Sequence, residues 1–273
     1  VIMLGNEAIA RGAYEAGVKV SSAYPGTPST EISENLVQYK EDLYAEWAPN
    51  EKVAAETAIG ASISGVRAMA CMKHVGLNVA SDPLYTVSYM GVNGGLLFMV
   101  ADDPGLYSSQ NEQDTRMIAR AAKVPVLEPS DSEEAKEFVK IGFELSEQYD
   151  RPVIFRITTR LAHSQGLVEL KERIEIPDKP YEKNIRKNVM MPGNAKYRHV
   201  EIEKRNRELK AAAETLAINR VELRDLKIGV ITSGIPYQYV REALPEASVL
   251  KLGMVHPLPE QTIRDFASRV ETL

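Results

Sequence analysis

Cysteine is almost absent from the 273-residue chain, which contains only Cys71. A single thiol excludes a disulfide within the chain and any metal cluster held by cysteines of this chain alone. This usage is typical of a reducing compartment, so we expect a cytoplasmic protein. Cys71 ends a short apolar run and is expected to be a small buried hydrophobic side chain.

Long apolar runs and an excess of basic charge are also missing. No stretch reaches the length of a membrane span, and we expect no secretory leader. The 33 Lys and Arg residues are outnumbered by 38 Asp and Glu residues, which gives a net charge of −5. Such a balance offers no electrostatic footprint for nucleic acid or for an anionic membrane. We therefore expect neither as a partner.

Several motifs of known chemistry are absent as well. No glycine-rich phosphate loop is followed by Lys and Ser or Thr, and no G-x-S-x-G nucleophile turn occurs. His163, His199 and His256 are scattered along the chain, so we expect no metal site built from histidines. Val1 opens an apolar VIML run, and Leu273 closes an amphipathic segment that has no stop signal. We expect the chain to be part of a longer polypeptide.

What the chain does contain is an alternation of short apolar strands with helices. In residues 1–168 this pattern predicts an α/β domain with a mostly parallel sheet flanked by helices. Residues 169–225 are rich in charge and predict a connecting segment with a helix over Val200–Arg220. Residues 226–273 predict the start of a second α/β domain that is not completed.

Four loops carry polar or turn-forming residues at the ends of predicted strands. They are Pro25–Thr30, Pro49–Glu51, Lys73–Gly76 and Asp102–Gln113. In an open parallel sheet the carboxyl ends of the strands share one edge, where ligands bind. We therefore expect the four loops to converge on one site, although Pro25–Thr30 would also serve simply as a stiff turn and a helix cap.

Glu51 is the acid best placed to act at such a site. It lies where a loop enters a helix whose second half, Ala54–Gly65, is rich in small side chains. Favourable interaction with the helix dipole explains such an acid without any function. A carboxyl presented to a partly desolvated site can instead exchange protons with a ligand. The residues alone leave both interpretations open.

Charged residues in the other loops also allow two interpretations. Lys73 and His74 either face an anionic ligand or form a pair on the surface of their loop. Asp102 and Asp103 are a possible metal site, but no third oxygen ligand follows at a recognisable spacing. They are better interpreted as turn acids in front of Pro104.

Three long stretches carry a resemblance to a known family: GNEAIARGAYEAGVKVSSAYPGTPSTEI, NEKVAAETAIGASISGVRAMACMKHVGLNVASDPL and VPVLEPSDSEEAKEF. The chain resembles the alpha subunits of the indolepyruvate:ferredoxin oxidoreductases, which belong to the thiamine-diphosphate-dependent 2-oxoacid:ferredoxin oxidoreductases. The resemblance covers residues 1–165 and, more loosely, residues 226–273. It includes a Y-P-x-T-P-S loop and an acid nine residues before Gly60 and fourteen before Gly65. It implies a pyrimidine-binding-type domain, followed by the start of a domain resembling the transketolase C-terminal domain.

The resemblance also implies roles for individual residues. Glu51 matches the catalytic glutamate that hydrogen-bonds N1′ of the cofactor's aminopyrimidine and helps to remove the C2 proton. The other matching positions are two near the substrate, Thr27 and His74, and three beside the cofactor, Pro25, Gly26 and Gly76. Pyruvate-specific relatives carry an arginine after the strand that corresponds to Leu96–Val100. Here Ala101–Gly105 contains none, which favours a bulkier aryl 2-oxoacid.

The implied reaction is oxidative decarboxylation of an aryl 2-oxoacid, indolepyruvate, to an acyl-CoA, with electrons passed to ferredoxin. The G-D-G…N motif that binds the diphosphate and Mg²⁺ is absent, and so are cysteine runs for iron–sulfur clusters. The rest of the alpha chain or a second subunit, in a homo- or hetero-oligomer, must therefore complete the site, and we expect no activity from these residues alone. The alternatives are the same reaction on a branched-chain 2-oxoacid, pyruvate or 2-oxoglutarate, and a non-catalytic assembly subunit.

Overall fold

The computed structural model describes residues 1–273, which form one large sheet and two small ones flanked by helices. The strands are β1 (Ile2–Leu4), β2 (Val20–Ala23), β3 (Tyr44–Trp47), β4 (Ala68–Lys73), β5 (Leu96–Asp102), β6 (Val126–Leu127), β7 (Val153–Thr158), β8 (Gln165–Leu167), β9 (Arg220–Glu222), β10 (Asp225–Ser233), β11 (Ala247–Leu252) and β12 (Met254–His256). The helices are α1 (Gly5–Glu15), α2 (Thr30–Leu36), α3 (Glu51–Ser64), α4 (His74–Val79), α5 (Ser81–Met90), α6 (Thr115–Ala122), α7 (Ser132–Tyr149), α8 (Thr159–Ala162), α9 (Ile185–Asn188), α10 (Pro192–Ala213), α11 (Pro236–Ala243) and α12 (Glu260–Ala267).

The large sheet has seven strands in the order β12-β6-β7-β5-β4-β2-β3. All neighbouring pairs from β6 to β3 are parallel, and only the edge strand β12 runs antiparallel to its neighbour. Parallel strands need crossover connections, and the helices between the strands provide them. The predicted α/β class with a mostly parallel sheet is confirmed.

The central strands are apolar on both faces because each face is covered by helices. Met69 and Cys71 of β4 lie in the core formed with α1, α2 and α7. Ala68 and Met72 of the same strand lie in the core on the opposite face, formed with α3 to α6. Successive side chains of a strand point to opposite faces, so both sets must be apolar when both faces are buried. Cys71 is confirmed as a buried residue, and burial raises the pKa of its thiol to about 12.

Helix α3 has a defined beginning and end, which fix the position of Glu51. Asn50 Oδ1 accepts a hydrogen bond from the backbone nitrogen of Val53 at 3.0 Å and so caps the helix. The helix ends at Gly65, whose φ of 107° is left-handed, and an added Cβ there would collide with the carbonyl group of Lys179. The small residues that pack against the sheet are the fully buried Ala54, Ala55 and Ala58.

The last hundred residues are tied to the first domain by strand pairing. The second sheet has the order β10-β11-β9, with β10 and β11 parallel and β9 antiparallel to β11. After β11 the chain returns to the large sheet, where β12 pairs with β6. The pairing of β9 with β11 thus crosses the predicted boundary at residue 225. The pairing of β12 with β6 crosses both predicted boundaries. The division at residues 168 and 225 stays a prediction.

Some local predictions were wrong. Strand β3 was not predicted, and β1 pairs with β8 in a separate two-stranded sheet. The predicted loop Lys73–Gly76 is instead the end of β4 and the start of α4, and α10 spans Pro192–Ala213 rather than Val200–Arg220. The side chain of Asp131 caps α7. None of the helices combines the length and the apolar character that crossing a membrane requires.

Candidate active site

The carboxyl ends of β2 to β5 bring the four predicted loops together. Lys73 Nζ donates a hydrogen bond to the carbonyl oxygen of Ser108 at 3.1 Å, and Ser108 Oγ donates to the carbonyl oxygen of Thr27 at 3.1 Å. Glu51 packs against Gly76, three residues after Lys73. Each loop therefore contacts at least one other, and the predicted convergence is confirmed.

Glu51 lies in the first turn of α3 with its side chain half-buried. An added Cβ at Gly76 would lie 2.5 Å from Glu51 Oε1 and 2.6 Å from its Cγ, so only glycine allows this approach. The neighbouring Lys52 pairs with Asp82 at 2.8 Å rather than with Glu51. The Glu51 carboxylate is therefore held by packing and keeps its hydrogen-bonding capacity for a ligand. Its position also agrees with the helix dipole, as the simpler interpretation requires.

The loop that follows β2 is held by a hydrogen bond within the loop and by one from helix α1. Within the loop, the backbone nitrogen of Gly26 donates to Thr30 Oγ1 at 2.9 Å. From outside, the buried side chain of Asn6 donates to the carbonyl oxygen of Pro28 at 2.8 Å. Between these anchors Thr27 is exposed at the open edge of the site. Asn6 gave no signal in the sequence, because its contact joins residues on two separate elements.

The predicted cofactor positions in this loop lie beside Lys73. Pro25 is exposed, and Gly26 lies so close to Lys73 that an added Cβ would be 2.9 Å from the Lys73 Cδ. Gly76, the third such position, is buried against Glu51. Both glycines thus permit close approach between neighbouring loops. Contact of these three residues with a cofactor stays a prediction.

His74 occupies a different position from the other predicted substrate residue. It is the first residue of α4 and is 0% exposed. Its Nε2 lies 3.0 Å from the carbonyl oxygen of Asn111, so Nε2 carries the hydrogen, and the buried Nδ1 has no partner. In this conformation the imidazole fixes the loop after β5 and is not accessible to a ligand. The predicted contact between His74 and a substrate stays a prediction.

Asp103 organises the loop that follows β5, and sequence reasoning identified it only as a turn acid. Its fully buried carboxylate accepts hydrogen bonds from the backbone nitrogen of Ser108 at 2.8 Å and from the hydroxyls of Ser109 and Thr159, each at 2.7 Å. Burial alone would raise the pKa of Asp103, but these hydrogen bonds outweigh it and lower the pKa to about 2. The bond to Ser108 connects Asp103 with both Lys73 and Thr27.

This pKa gives a testable pH dependence of stability. The folded protein lowers the pKa of Asp103 from 3.8 to about 2, so the carboxylate stabilises the fold above the ordinary pKa and loses this effect as the pH falls through that range. We expect Asp103→Asn to lower the free energy of unfolding most near neutral pH. The difference from the unmodified protein should shrink between about pH 4 and about pH 2. Urea unfolding across this range measures it.

A matched control for this experiment is Asp82→Asn. Asp82 pairs with Lys52 at the surface, with 74% of the Asp82 side chain exposed, so its loss should change stability little at any pH. A difference between Asp103→Asn and the unmodified protein that is independent of pH would contradict the assignment of a stabilising carboxylate to Asp103.

Asp102 is not a turn acid, contrary to the prediction. It is the last residue of β5 and lies 2.7 Å from Arg156 Nε, while Arg156 Nη1 lies 2.6 Å from Glu128 Oε1. Burial alone would lower the pKa of Arg156, but the carboxylates of Glu128 and Asp102 raise it. No group of three or more His, Cys, Asp or Glu side chains is arranged to hold a metal ion. Asp102 therefore forms an ion pair with Arg156, and Asp103 holds the loop that follows β5.

A cavity of about 650 Å³ lies beside the Asp103 loop rather than at Glu51, between the ends of β6, β7 and β10. Two of its three arginines are neutralised, since Arg116 pairs with Asp114 at 2.8 Å and Arg156 pairs with Asp102 at 2.7 Å. Arg160 donates to the hydroxyl of Tyr107 at 3.3 Å and forms no ion pair. Glu51 does not line this cavity, so the open edge near Glu51 is the candidate site for chemistry that uses this acid.

Comparison with known proteins identifies relatives of the chain. Subunit IorA of indolepyruvate oxidoreductase from Archaeoglobus fulgidus is 46% identical over 287 residues, covering 99% of this chain and 45% of that protein. The IorA subunit of Methanothermobacter marburgensis is 45% identical over 280 residues, with the same coverage. The chain thus spans less than half the length of these relatives. The resemblance inferred from the sequence is confirmed.

A more distant solved structure shares the fold. In 2-oxoglutarate:ferredoxin oxidoreductase from Magnetococcus marinus, solved with 2-oxoglutarate, coenzyme A and succinyl-CoA, one chain superposes with a TM-score of 0.82 at 21% identity, covering 99% of this chain and 56% of that one. Residues 11–216 match the family model described as "Pyruvate flavodoxin/ferredoxin oxidoreductase, thiamine diP-bdg". The chain therefore belongs to the thiamine-diphosphate-binding family of pyruvate flavodoxin/ferredoxin oxidoreductases.

Proposed function

We propose that this chain supplies the aminopyrimidine-side half of a thiamine diphosphate site in an enzyme that oxidatively decarboxylates an aryl 2-oxoacid. The observation that carries the proposal is the carboxylate of Glu51. It is half-buried, packed on Gly76 and not paired with its neighbour Lys52, at the edge where four loops meet. The relatives named indolepyruvate oxidoreductase point to indolepyruvate as the substrate.

The residues present fit one half of the cofactor. Glu51 would hold N1′ of the aminopyrimidine, and Gly76 provides a surface without a side chain beside that carboxylate. When bound, the cofactor supplies a carbon nucleophile for the 2-oxo group and accepts the electron pair released with CO₂. The diphosphate and Mg²⁺ would be held by residues outside this chain, in the rest of the polypeptide or in a second subunit.

The contribution of the chain itself is proton handling and positioning. Glu51 would hold a proton at N1′, which is effective because packing fixes the carboxylate and its hydrogen-bonding capacity is unused within the chain. Thr27 is exposed at the same edge and would approach the substrate carboxylate. His74 would act through Asn111 by fixing the neighbouring loop. Fixed loops lower the cost of bringing the reacting groups together.

The end of β5 favours an aryl substrate. Pyruvate-specific members of the resembled family carry an arginine after this strand, whereas Ala101–Gly105 carries none, and Asp102 and Asp103 are both engaged within the protein. The rival proposal is 2-oxoglutarate, because subunit KorA of 2-oxoglutarate synthase from Methanothermobacter thermautotrophicus is 31% identical over 186 residues. Branched-chain 2-oxoacids, pyruvate and a non-catalytic assembly role are the remaining alternatives.

The complete enzyme would need further parts. Coenzyme A would accept the acyl group, and iron–sulfur clusters bound elsewhere would pass electrons to ferredoxin. The single cysteine of this chain, Cys71, is buried and cannot ligate such clusters. We propose a cytoplasmic homo- or hetero-oligomer in which these parts meet the Glu51 edge.

Steady-state reduction of ferredoxin by the complete enzyme tests this proposal. With saturating thiamine diphosphate and coenzyme A, we expect kcat/KM for indolepyruvate to exceed that for pyruvate by about 100-fold, since a pocket shaped for an aryl group gains little from a methyl group. A kcat/KM for pyruvate or for 2-oxoglutarate equal to that for indolepyruvate would contradict the aryl assignment. No turnover of any 2-oxoacid would favour the assembly role.

A further inference from the structure

The ammonium group of Lys73 is a cation at the candidate site, and no acidic side chain of the protein neutralises its charge. It is the last residue of β4, and its stem lies against Gly26. Its ammonium donates one hydrogen bond, to the carbonyl oxygen of Ser108 at 3.1 Å, and forms no ion pair. An ammonium group has three donors, so two remain for a ligand.

The four loops contain no other lysine or arginine. Pro25–Thr30, Pro49–Glu51 and Asp102–Gln113 carry none, and Lys73 is the first residue of the remaining loop. The nearest other lysine in sequence, Lys52, is already paired with Asp82 at 2.8 Å. Among the side chains of these four loops, Lys73 therefore carries the one permanent positive charge available to an anionic substrate.

The position of Lys73 suits a substrate that must reach Glu51. Ser108, which accepts from Lys73, donates to the carbonyl oxygen of Thr27 at 3.1 Å. Gly76, three residues after Lys73, packs against Glu51. The short segment from Lys73 to Gly76 thus contacts the Thr27 loop at one end and the carboxylate proposed to act on the cofactor at the other.

We propose that Lys73 binds the carboxylate of the 2-oxoacid and is the main source of affinity for that group. The inference rests on the proposed function, since it assumes a 2-oxoacid as the substrate. The ammonium lies beside Thr27 and keeps its contact with Ser108 when the substrate binds. The alternative for Lys73 is purely structural: it would clamp the loop after β5 and touch no ligand.

Binding of matched analogues to the complete, cofactor-loaded enzyme separates these roles. Indole-3-lactate carries the carboxylate, whereas indole-3-lactamide has the same shape without the charge, and neither has a 2-oxo group. We expect Lys73→Met to weaken binding of indole-3-lactate by about 10- to 100-fold, which is the range of a lost charge-assisted hydrogen bond. Binding of indole-3-lactamide should weaken by less than about twofold. Isothermal titration calorimetry measures both.

Two further variants sharpen the test. Lys52→Met removes the same charge next to Glu51 but from an exposed ion pair, so binding of indole-3-lactate should change less than about twofold. Lys73→Arg should restore part of the affinity, because a guanidinium also pairs with carboxylates. Affinity for thiamine diphosphate should be the same in Lys73→Met and the unmodified enzyme.

The proposal is overturned if Lys73→Met weakens the acid and the amide equally, because that is the result of a structural clamp. Unchanged binding of the acid overturns it as well. Neither binding result depends on turnover, so failure of the proposal for Lys73 is distinguishable from failure of the aryl assignment. An enzyme that turns over a different 2-oxoacid is tested with the corresponding 2-hydroxy acid and its amide, and the same difference between them is then expected.

Discussion

Replacing Glu51 by glutamine in the complete enzyme is expected to lower kcat by about 10²- to 10⁴-fold, the contribution typical of a positioned proton-transfer group. Glutamine has the same shape and should keep the contact with Gly76, but its amide cannot hold and release a proton at N1′. The fold should be unaffected, because Glu51 is half-buried and its neighbour Lys52 pairs with Asp82 instead. Ferredoxin reduction with saturating substrate measures kcat.

The matched control is Glu56→Gln. Glu56 lies on the same helix, one and a half turns further on, and is exposed to solvent. Glu56→Gln removes one negative charge from α3, as Glu51→Gln does. If the net charge of α3 does not affect catalysis, kcat should change less than about twofold. Equal activities of Glu51→Gln and the unmodified enzyme would leave Glu51 as an ordinary acid at the start of a helix.

Alanine at Gly76 is expected to lower kcat by about 10- to 100-fold without lowering stability. The added Cβ would lie 2.5 Å from Glu51 Oε1 and 2.6 Å from Cγ, so something must move. Glu51 is only half-buried, so with the surface of Gly76 replaced by a methyl group its carboxylate should shift rather than the backbone. A misplacement of about 1 Å at a reacting group costs up to about 100-fold in rate.

Gly60→Ala provides the control for this substitution. Gly60 lies in α3, and an added Cβ there meets nothing within 4 Å. Alanine favours a helix over glycine by up to about 1 kcal/mol, so Gly60→Ala should raise stability and leave kcat unchanged. Thermal unfolding and kcat are measured on both variants. Loss of stability in Gly76→Ala in proportion to its loss of activity would contradict a local effect on Glu51.

The fold could be predicted where the sequence pattern is local. β4 and β5 are apolar up to their last residues, Lys73 and Asp102, because both faces of these strands are buried, and this is the signature of a covered parallel sheet. β3 gave no such signal, since Tyr44–Trp47 forms an edge strand with exposed side chains. The pairing of β12 with β6 joins residues more than a hundred positions apart, and no local pattern encodes it.

The site could be predicted in part. Glu51 was identified from its place at a helix start and from the family resemblance, and the convergence of the loops followed from the topology of parallel sheets. The role of Asp103 depends on the path of the loop back to Ser108, which turn propensities do not specify. His74 was placed in an open loop, but α4 begins at this residue and buries it.

The central claim is that Glu51 handles a proton for the cofactor, and exchange of the thiazolium C2 proton tests it most directly. The complete enzyme loaded with thiamine diphosphate is mixed with D₂O, quenched in acid and analysed by NMR, without any 2-oxoacid. We predict fast exchange on the unmodified enzyme and exchange slowed at least about 100-fold in Glu51→Gln, near the rate of the free cofactor. Equally fast exchange in both proteins, at full occupancy of the cofactor, would contradict the claim.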